Sequence, residues 1–130
     1  MRKKKLPVVV MKEKTGYSAT IDIDDIFIGT EAETFNELKD NLLEAVNLAF
    51  EDKRVEYSLN DMQLDFDLAS FFSYYQVINA KALSERIGMN QSLLAQYING
   101  IKKPSRAQKI RILEGIHQIG RELTEVRFLL

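Results

Sequence analysis

A chain of 130 residues is long enough for one ordinary domain or two very small ones. It has no cysteine and a single histidine, His117, which excludes disulfides, cysteine-ligated zinc and a histidine metal cluster, so we expect no metal and no other cofactor. No apolar run approaches the roughly 20 residues that span a bilayer, and the apolar stretch after the basic start, 6–11, is too short for a signal peptide, which predicts a cytoplasmic protein without a membrane partner.

Charge is divided unevenly along the chain. Residues 1–66 carry 9 basic and 14 acidic side chains, a formal charge of −5, whereas residues 67–130 carry 9 and 5, a formal charge of +4. Seven basic side chains and one acidic side chain lie within 79–112. An acidic half joined to a basic half indicates two modules, of which the second binds a polyanion. The alternative interpretation is that these charged side chains are only solvated surface residues and bind no partner.

The first half has the pattern of a small sheet with a helix on one face. Gly16 predicts a turn between the first two strands, and the third strand is expected to end at Gly29. Thr34 and Glu37 form a capping box in front of a helix with an apolar stripe. The order is βββαβ. The strands are predicted at 6–11, 17–23, 26–28 and 62–66.

Three carboxylates lie where the second predicted strand ends: Asp22 in its last residues, and Asp24 and Asp25 directly after it. Metal binding or acid–base chemistry is one interpretation, and a solvated turn is the other. The spacing lacks the glycine and the distal glutamate of a calcium loop, so we expect the turn.

Four sequence blocks in this half resemble the HicB antitoxins. The blocks are VVV at 8–10, GYSA at 16–19, GTEAET at 29–34 and NLLEAV at 41–46. The resemblance covers residues 6–52, and it departs from the family at 23–26, where HicB chains carry a turn with proline and glycine. It implies a partial ribonuclease-H-like sheet without catalysis, and a HicA-like toxin ribonuclease as partner.

The second half begins with an aromatic helix. Asp67 is expected to cap it. Its aromatic side chains could pack in a core or stack on nucleic-acid bases, and because no basic residues alternate with them, we expect them to pack in the core of a small helical domain. The aromatic residues are Phe71, Phe72, Tyr74 and Tyr75.

Residues 79–105 combine caps, glycines and apolar positions at fixed offsets. Asn79 and Asn90 are each expected to cap a short helix. Gly88 lies where the turn between the helices needs a positive φ, and Gly100 ends the second helix. A structural helical hairpin would share part of this pattern, but the basic residues that follow favour DNA binding. The helices are predicted at 80–87 and 91–99.

This stretch resembles the lambda-repressor-like, or Xre-type, helix-turn-helix. The resemblance rests on GM at 88–89, QS at 91–92 and NGIKKPS at 99–105, and Ala80 stands where many members have a glutamine. It implies that the second helix enters the major groove of double-stranded DNA. The implied base contacts come from Gln91, Ser92 and Gln96. The predicted phosphate contacts come from Lys81, Asn99, Lys102 and Lys103.

A long helix follows the basic loop. One apolar seam along it is typical of paired helices, which predicts a homodimer or a higher oligomer, although packing on the N-terminal half would use the same seam. Ile110 and Leu113 open a second face, which we expect to contact the helix-turn-helix core. Gly115 and Gly120 weaken the helix but permit close approach of another backbone. Residues 126–130 are compatible with helix or strand. The seam consists of Ile112, Ile116, Ile119, Leu123, Val126 and Leu130.

Together these patterns predict an α+β protein. A βββαβ, partial ribonuclease-H-like domain at 1–65 is followed by an all-α, lambda-repressor-like helix-turn-helix domain at 66–130. The predicted function is that of a DNA-binding transcriptional regulator that is not an enzyme. The resemblance to the HicB antitoxins implies that it represses its own operon and neutralises the toxin. One alternative is an orphan regulator whose N-terminal sheet only mediates oligomerisation or protein binding. Another is a metal-dependent RNA-processing enzyme, which would need clustered carboxylates.

Overall fold

The computed structural model describes residues 4–130, and residues 1–3 of the basic start lie outside the described part. The chain is α+β, with a four-stranded mixed sheet followed by helices. It divides into two compact units, Met1–Tyr74 and Tyr75–Leu130. The division lies nine residues after the predicted boundary between 65 and 66. None of the helices between residues 4 and 130 is long and apolar enough to cross a membrane.

The sheet of the first unit has the strand order β3-β2-β1-β4. β1 pairs antiparallel with β2 and parallel with β4, and β2 pairs antiparallel with β3. Gly16 has φ 77°, and a Cβ atom there would lie 2.2 Å from the Ala32 carbonyl oxygen, so the predicted turn requires glycine. β3 does not end at Gly29 as predicted, because its pairing with β2 continues to Ala32. The strands are β1, Leu6–Lys12; β2, Tyr17–Ile23; β3, Ile26–Ala32; and β4, Met62–Phe66.

Helix α1, Phe35–Ala49, covers one face of this sheet. Thr34 Oγ1 accepts a hydrogen bond from the Glu37 backbone N–H at 3.1 Å, which confirms the predicted cap. Two 3₁₀ turns, Glu51–Lys53 and Leu59–Asp61, lead from the helix to β4. The helix buries Phe35, Leu38, Leu42 and Val46 against Leu6, Val8, Val10, Ala19, Ile21 and Ile28 of the sheet.

Helix α2, Leu68–Tyr74, belongs to the first unit. Asp67 Oδ1 accepts a hydrogen bond from the Ser70 N–H at 2.9 Å, which confirms the cap, and the buried Ser70 hydroxyl accepts one from the Lys12 N–H of β1 at 2.6 Å. The ring centroids of Tyr74 and Phe35 are 4.1 Å apart. Tyr74 therefore packs against the core of the sheet and Phe72 is buried, whereas Tyr75 lies after α2 and is 38% exposed. The prediction that all four aromatic residues pack in the core of a small helical domain is wrong.

The second unit consists of three helices: α3, Ala80–Ile87; α4, Gln91–Ile98; and α5, Arg106–Glu125. The two short helices lie where the sequence predicts them, with α4 one residue shorter. Ile112 and Gly115 of α5 are buried, whereas Ile110 and Leu113 are 42% and 50% exposed. The prediction that Ile110 and Leu113 contact the helical core is therefore wrong, because the helix turns the opposite face inward.

The chain leaves the helix after Glu125. Val126 has φ −67° and ψ 134°, which is extended backbone. Residues 126–130 form neither a helix nor a paired strand. Of the predicted seam, Ile112 is buried and Ile116 and Ile119 are half-buried, while its later members are exposed. The seam therefore packs only as far as Ile119.

Candidate nucleic-acid interface

The turn between α3 and α4 is fixed by local hydrogen bonds. Asn79 Oδ1 accepts from the Ala82 N–H at 2.9 Å and so caps α3. Gly88 has φ 68°, the left-handed conformation that the sequence predicts for it. The Met89 N–H then donates to the Ser84 carbonyl at 2.8 Å, and the Met89 side chain is buried beneath the turn. The relative orientation of the two helices is thus determined by residues within the motif.

Arg111 of α5 holds the same turn from the other side. Its guanidinium donates to the Ile87 carbonyl at 2.8 and 3.2 Å and to the Gly88 carbonyl at 2.7 Å. These carbonyls end α3, where the helix leaves acceptors without intrahelical partners and where a positive charge is favourable. From the sequence alone, Arg111 is one of the seven basic residues at 79–112. In the structure its guanidinium is hydrogen-bonded to the turn.

Helix α4 presents a polar face to solvent. Asn90 Oδ1 accepts from the N–H groups of Ser92 and Leu93 at 2.8 and 3.2 Å, so the helix begins with a satisfied cap. Leu94 is buried on the inner side. The helical repeat places the outer residues together on the opposite side. This exposed face of α4 consists of Gln91, Ser92, Ala95 and Asn99, with the half-buried Gln96 at its edge.

The loop after α4 is attached to the helix by its backbone. The Gln96 carbonyl accepts from the N–H groups of Ile101 and Lys102 at 2.9 and 3.2 Å, and Gly100 has φ 75°. Lys102 and Lys103 are exposed. The position of both lysines is therefore coupled to that of the exposed face of α4.

Lys81, the fourth residue predicted to bind phosphate, lies apart from this group on α3. Its side chain is exposed, and its backbone carbonyl accepts a hydrogen bond from the buried Ser84 hydroxyl at 2.6 Å.

One residue of the exposed face was not predicted from the sequence. Ala95 lies one turn after Gln91 and one turn before Asn99, and its methyl group is exposed between their polar side chains. A small apolar side chain at this place could contact the methyl group of thymine. The i, i+4 spacing from Gln91 is the sequence feature that could have predicted the position of Ala95 on this face. Asn99 shares this face, so it can reach a base edge as well as a phosphate.

Two of the seven basic side chains at 79–112, Arg86 and Arg111, bind partners within the second unit. Arg86 Nη1 lies 2.6 Å from Glu122 Oε2, and this hydrogen bond, followed by one from Gln118, lowers the pKa of the Glu122 carboxyl. Arg86 is therefore ion-paired, and Arg111 is hydrogen-bonded to the turn. In the part of the chain that the structure describes, no ion pair involves the five other basic side chains of this region, which are Lys81, Lys102, Lys103, Arg106 and Lys109.

Asp22, Asp24 and Asp25 lie at an exposed hairpin turn. Asp24 and Asp25 form the two-residue loop of the β2–β3 hairpin, Asp24 has φ 53°, and both side chains are exposed together with that of Asp22. Between residues 4 and 130, no three histidine, aspartate or glutamate side chains are placed to hold a metal ion together. The interpretation of this segment as a solvated turn is confirmed.

Comparison of the chain with models of protein families, with curated proteins and with solved structures finds no match. The function therefore has to be inferred from the geometry and chemistry of the residues themselves.

Proposed function

We propose that the chain is a sequence-specific DNA-binding transcriptional regulator that inserts α4 into the major groove, in the manner of a lambda-repressor-like helix-turn-helix. The observation that carries this proposal is the exposed face of α4, which presents hydrogen-bonding side chains beside a loop of exposed lysines without ion pairs. An α-helix with its side chains is about 10–12 Å across, and the major groove is about 12 Å wide. The helix and its groove therefore match in size.

Each residue of this interface has a chemical role in the proposal. Gln91 can accept a hydrogen bond from adenine N6 and donate one to adenine N7. Ser92 can bond either a donor or an acceptor on a base edge. Ala95 contacts a thymine methyl, and Gln96 contacts a base edge from the border of the exposed face. Lys102 and Lys103, with Asn99 and with Lys81 on α3, bind phosphates and fix the register of α4. A two-fold dimer would bind two half-sites about 34 Å apart.

The proposal is tested by selecting bound DNA from a random pool with the wild-type chain and two variants. Gln91→Ala should lose preference at one or two adjacent positions, with affinity for the best site falling by about 5- to 150-fold. Lys102→Ala should weaken binding to all sequences and reduce the salt dependence by about one phosphate contact. Lys14→Ala is the matched control, because Lys14 is exposed in the acidic first unit. A pool that never enriches, or equal losses on every sequence from both variants, would refute the assignment.

For the first unit we propose the role of a HicB-type antitoxin domain that binds a basic, HicA-like toxin. The sheet face opposite α1 exposes Val9, Met11 and Phe27. Exposed carboxylates of the same face, on Asp22 and Asp65, lie beside them. An apolar centre in acidic surroundings favours a basic protein partner. An orphan regulator is the alternative, and this face would then bind an unrelated protein or a second sheet.

Co-expression with a small basic chain encoded next to this one separates these alternatives. A toxin partner should co-purify with the wild type and be lost from Phe27→Asp, while DNA binding by α4 persists. If no neighbouring reading frame encodes such a chain, or if Phe27→Asp retains it, the toxin role on this face is wrong.

A further inference from the structure

β3 is an edge strand whose outer backbone groups are unpaired. It lies at one end of the sheet and pairs only with β2. A two-residue loop, 24–25, joins the two strands, so Ile23 and Ile26, which close it, form a hydrogen-bonded pair. Bonded and non-bonded pairs alternate along an antiparallel ladder, so the N–H and C=O groups of Phe27 and Gly29 point away from β2. Between residues 4 and 130, no hydrogen bond satisfies these four groups.

Asn41 of α1 limits this free edge at one end. Its Nδ2 donates to the Glu31 carbonyl oxygen at 3.4 Å, and by the same alternation this is the next outward carbonyl of β3. A side chain of α1 can reach it only because it faces away from β2. The open part of the edge is therefore its middle, at Phe27 and Gly29. Unpaired groups of this kind accept the backbone of another extended chain.

Apolar side chains lie on both faces of the open edge. On the face opposite α1, Phe27 is 69% exposed, and its ring lies beside Gly29, where a Cβ atom would be 3.4 Å from Cε1. On the other face, Leu48 of α1 is 71% exposed. Leu48 follows Asn41 by about two turns, so both lie on the flank of α1 that reaches the β3 edge. A strand added to β3 would thus cover apolar surface on both of its faces.

The charge around the edge is uniformly acidic. Between Lys14 and Lys39 the chain carries six acidic side chains and no basic one, and all six are exposed. They lie at the β2–β3 hairpin, on β3, on the connection to α1 and in the first turn of α1. A second copy would bring like charges together, whereas a basic segment would be attracted. The six residues are Asp22, Asp24, Asp25, Glu31, Glu33 and Glu37.

We propose that the β3 edge binds an extended, basic segment of another protein as a fifth strand of the sheet. The N–H and C=O groups of Phe27 and Gly29 bond the backbone of the segment, and apolar side chains of the segment pack on Phe27 and Leu48. Its lysine or arginine side chains face Glu31 and the carboxylates of the hairpin. The proposal goes beyond the contact proposed on the sheet face, with which it shares Phe27, and it depends neither on a toxin partner nor on DNA binding.

The probe is a labelled octapeptide of alternating lysine and valine, blocked at both ends and added to the full chain at low salt. Fluorescence anisotropy measures its dissociation constant, and the largest amide NMR shifts should be those of Phe27 and Gly29. Gly29→Pro should weaken binding about tenfold or more, because proline removes an outward N–H and its ring obstructs the edge. The pairing of β3 with β2 does not use that N–H, so the fold should persist. A peptide with glutamate in place of lysine should not bind.

Glu31→Lys and Asp65→Lys form a matched pair of charge reversals. Both carboxylates are exposed on the sheet face opposite α1, but Glu31 lies on β3 and Asp65 on β4, at opposite edges of the sheet. Glu31→Lys should weaken binding of the lysine peptide by about 3- to 10-fold, because an attraction becomes a repulsion. Asp65→Lys should leave the affinity within about twofold of the wild type.

Circular dichroism establishes that each variant is folded. If Gly29→Pro unfolds, Leu48→Lys replaces it, since this exposed position on α1 would then repel the peptide. The proposal is wrong if the lysine peptide does not bind at about 1 mM, or if Gly29→Pro binds it as well as the wild type does. Equal losses from Glu31→Lys and Asp65→Lys would place the peptide on the sheet face and not at the edge. A dimer of the chain that Gly29→Pro dissociates would show that a second copy occupies the edge instead.

Discussion

The two glycines of α5 should respond in opposite ways to the same substitution. A Cβ atom at Gly115 would lie 2.4 Å from Ile87 Cγ2 and 3.4 Å from Leu83 Cδ1, whereas a Cβ atom at Gly120 would have no neighbour within 4 Å. Ordinary carbon contacts are about 3.5–4.0 Å. Gly115→Ala therefore forces α3 and α5 apart or rotates a β-branched side chain that has one preferred rotamer in a helix. Gly120→Ala adds a methyl group to open space.

The magnitudes follow from two opposing effects. Replacing glycine by alanine inside a helix stabilises it by about 0.8–1 kcal/mol at either position. Overpacking at Gly115 costs about 1–3 kcal/mol. Gly120→Ala should thus raise the free energy of unfolding by up to about 1 kcal/mol, and Gly115→Ala should lower it by up to about 2 kcal/mol. The difference between the variants, about 1–3 kcal/mol, is independent of helix propensity because that contribution is common to both.

Urea unfolding followed by circular dichroism at one protein concentration measures this difference. With a typical dependence of 1–3 kcal/mol per molar urea, the two midpoints should be separated by roughly 1 M, with Gly120→Ala the higher. Equal midpoints would refute the close packing of Gly115 against Ile87. A Gly115→Ala chain that is more stable than the wild type would show that helix propensity outweighs the contact.

Three further changes test individual side chains. Arg111→Gln should lower the free energy of unfolding by about 1 kcal/mol, because the exposed guanidinium no longer binds the carbonyls that end α3; thermal unfolding measures it. Asn47→Leu should lower it by about 1–3 kcal/mol, because the Asn47 amide bonds both the N–H and the carbonyl of Tyr57, at 2.7 and 3.1 Å, and both of these hydrogen bonds would be lost. Arg86→Gln should raise the pKa of Glu122 toward its ordinary value, as followed by carboxyl NMR titration.

The sign of the last effect also fixes its pH dependence. Because the pKa of Glu122 is lowered in the folded chain, its pairing with Arg86 stabilises the fold above the ordinary carboxyl pKa. That contribution disappears as the pH falls through the lowered pKa, and it is small because the pair is exposed and screened by salt. Glu122→Gln should remove this part of the acid dependence. A Glu122 pKa that does not change in Arg86→Gln would contradict the observed pairing.

Local signals made the α3–α4 pair predictable. Asn79, Gly88, Asn90 and Gly100 each act on backbone groups within a few residues of themselves, as caps or as positive-φ positions. Such interactions are encoded in short stretches of sequence, so the helix boundaries follow with an error of one residue. The same holds for Thr34 at the start of α1.

Features that depend on distant partners were not predictable in this way. β3 is longer than expected because β2 provides pairing partners as far as Ala32. α2 belongs to the sheet unit because Ser70 accepts a hydrogen bond from Lys12, fifty-eight residues earlier. The role of Arg111 depends on carbonyls that are brought to it by the turn at Gly88. In each case the deciding contact joins segments whose proximity is a result of the fold.

Helix α5 shows the limit of apolar periodicity most directly. Spacing identifies which residues share a face, but it does not identify which neighbour each face meets. Gly115 determines which face of α5 packs against α3, because Ile87 can approach this closely only where α5 has no side chain. Ile110 and Leu113 consequently remain outside. Beyond Ile119 the apolar residues of α5 are not buried, and Leu123 is 63% exposed. Apolar spacing therefore predicts the buried residues of α5 only where a neighbouring element lies against the same face.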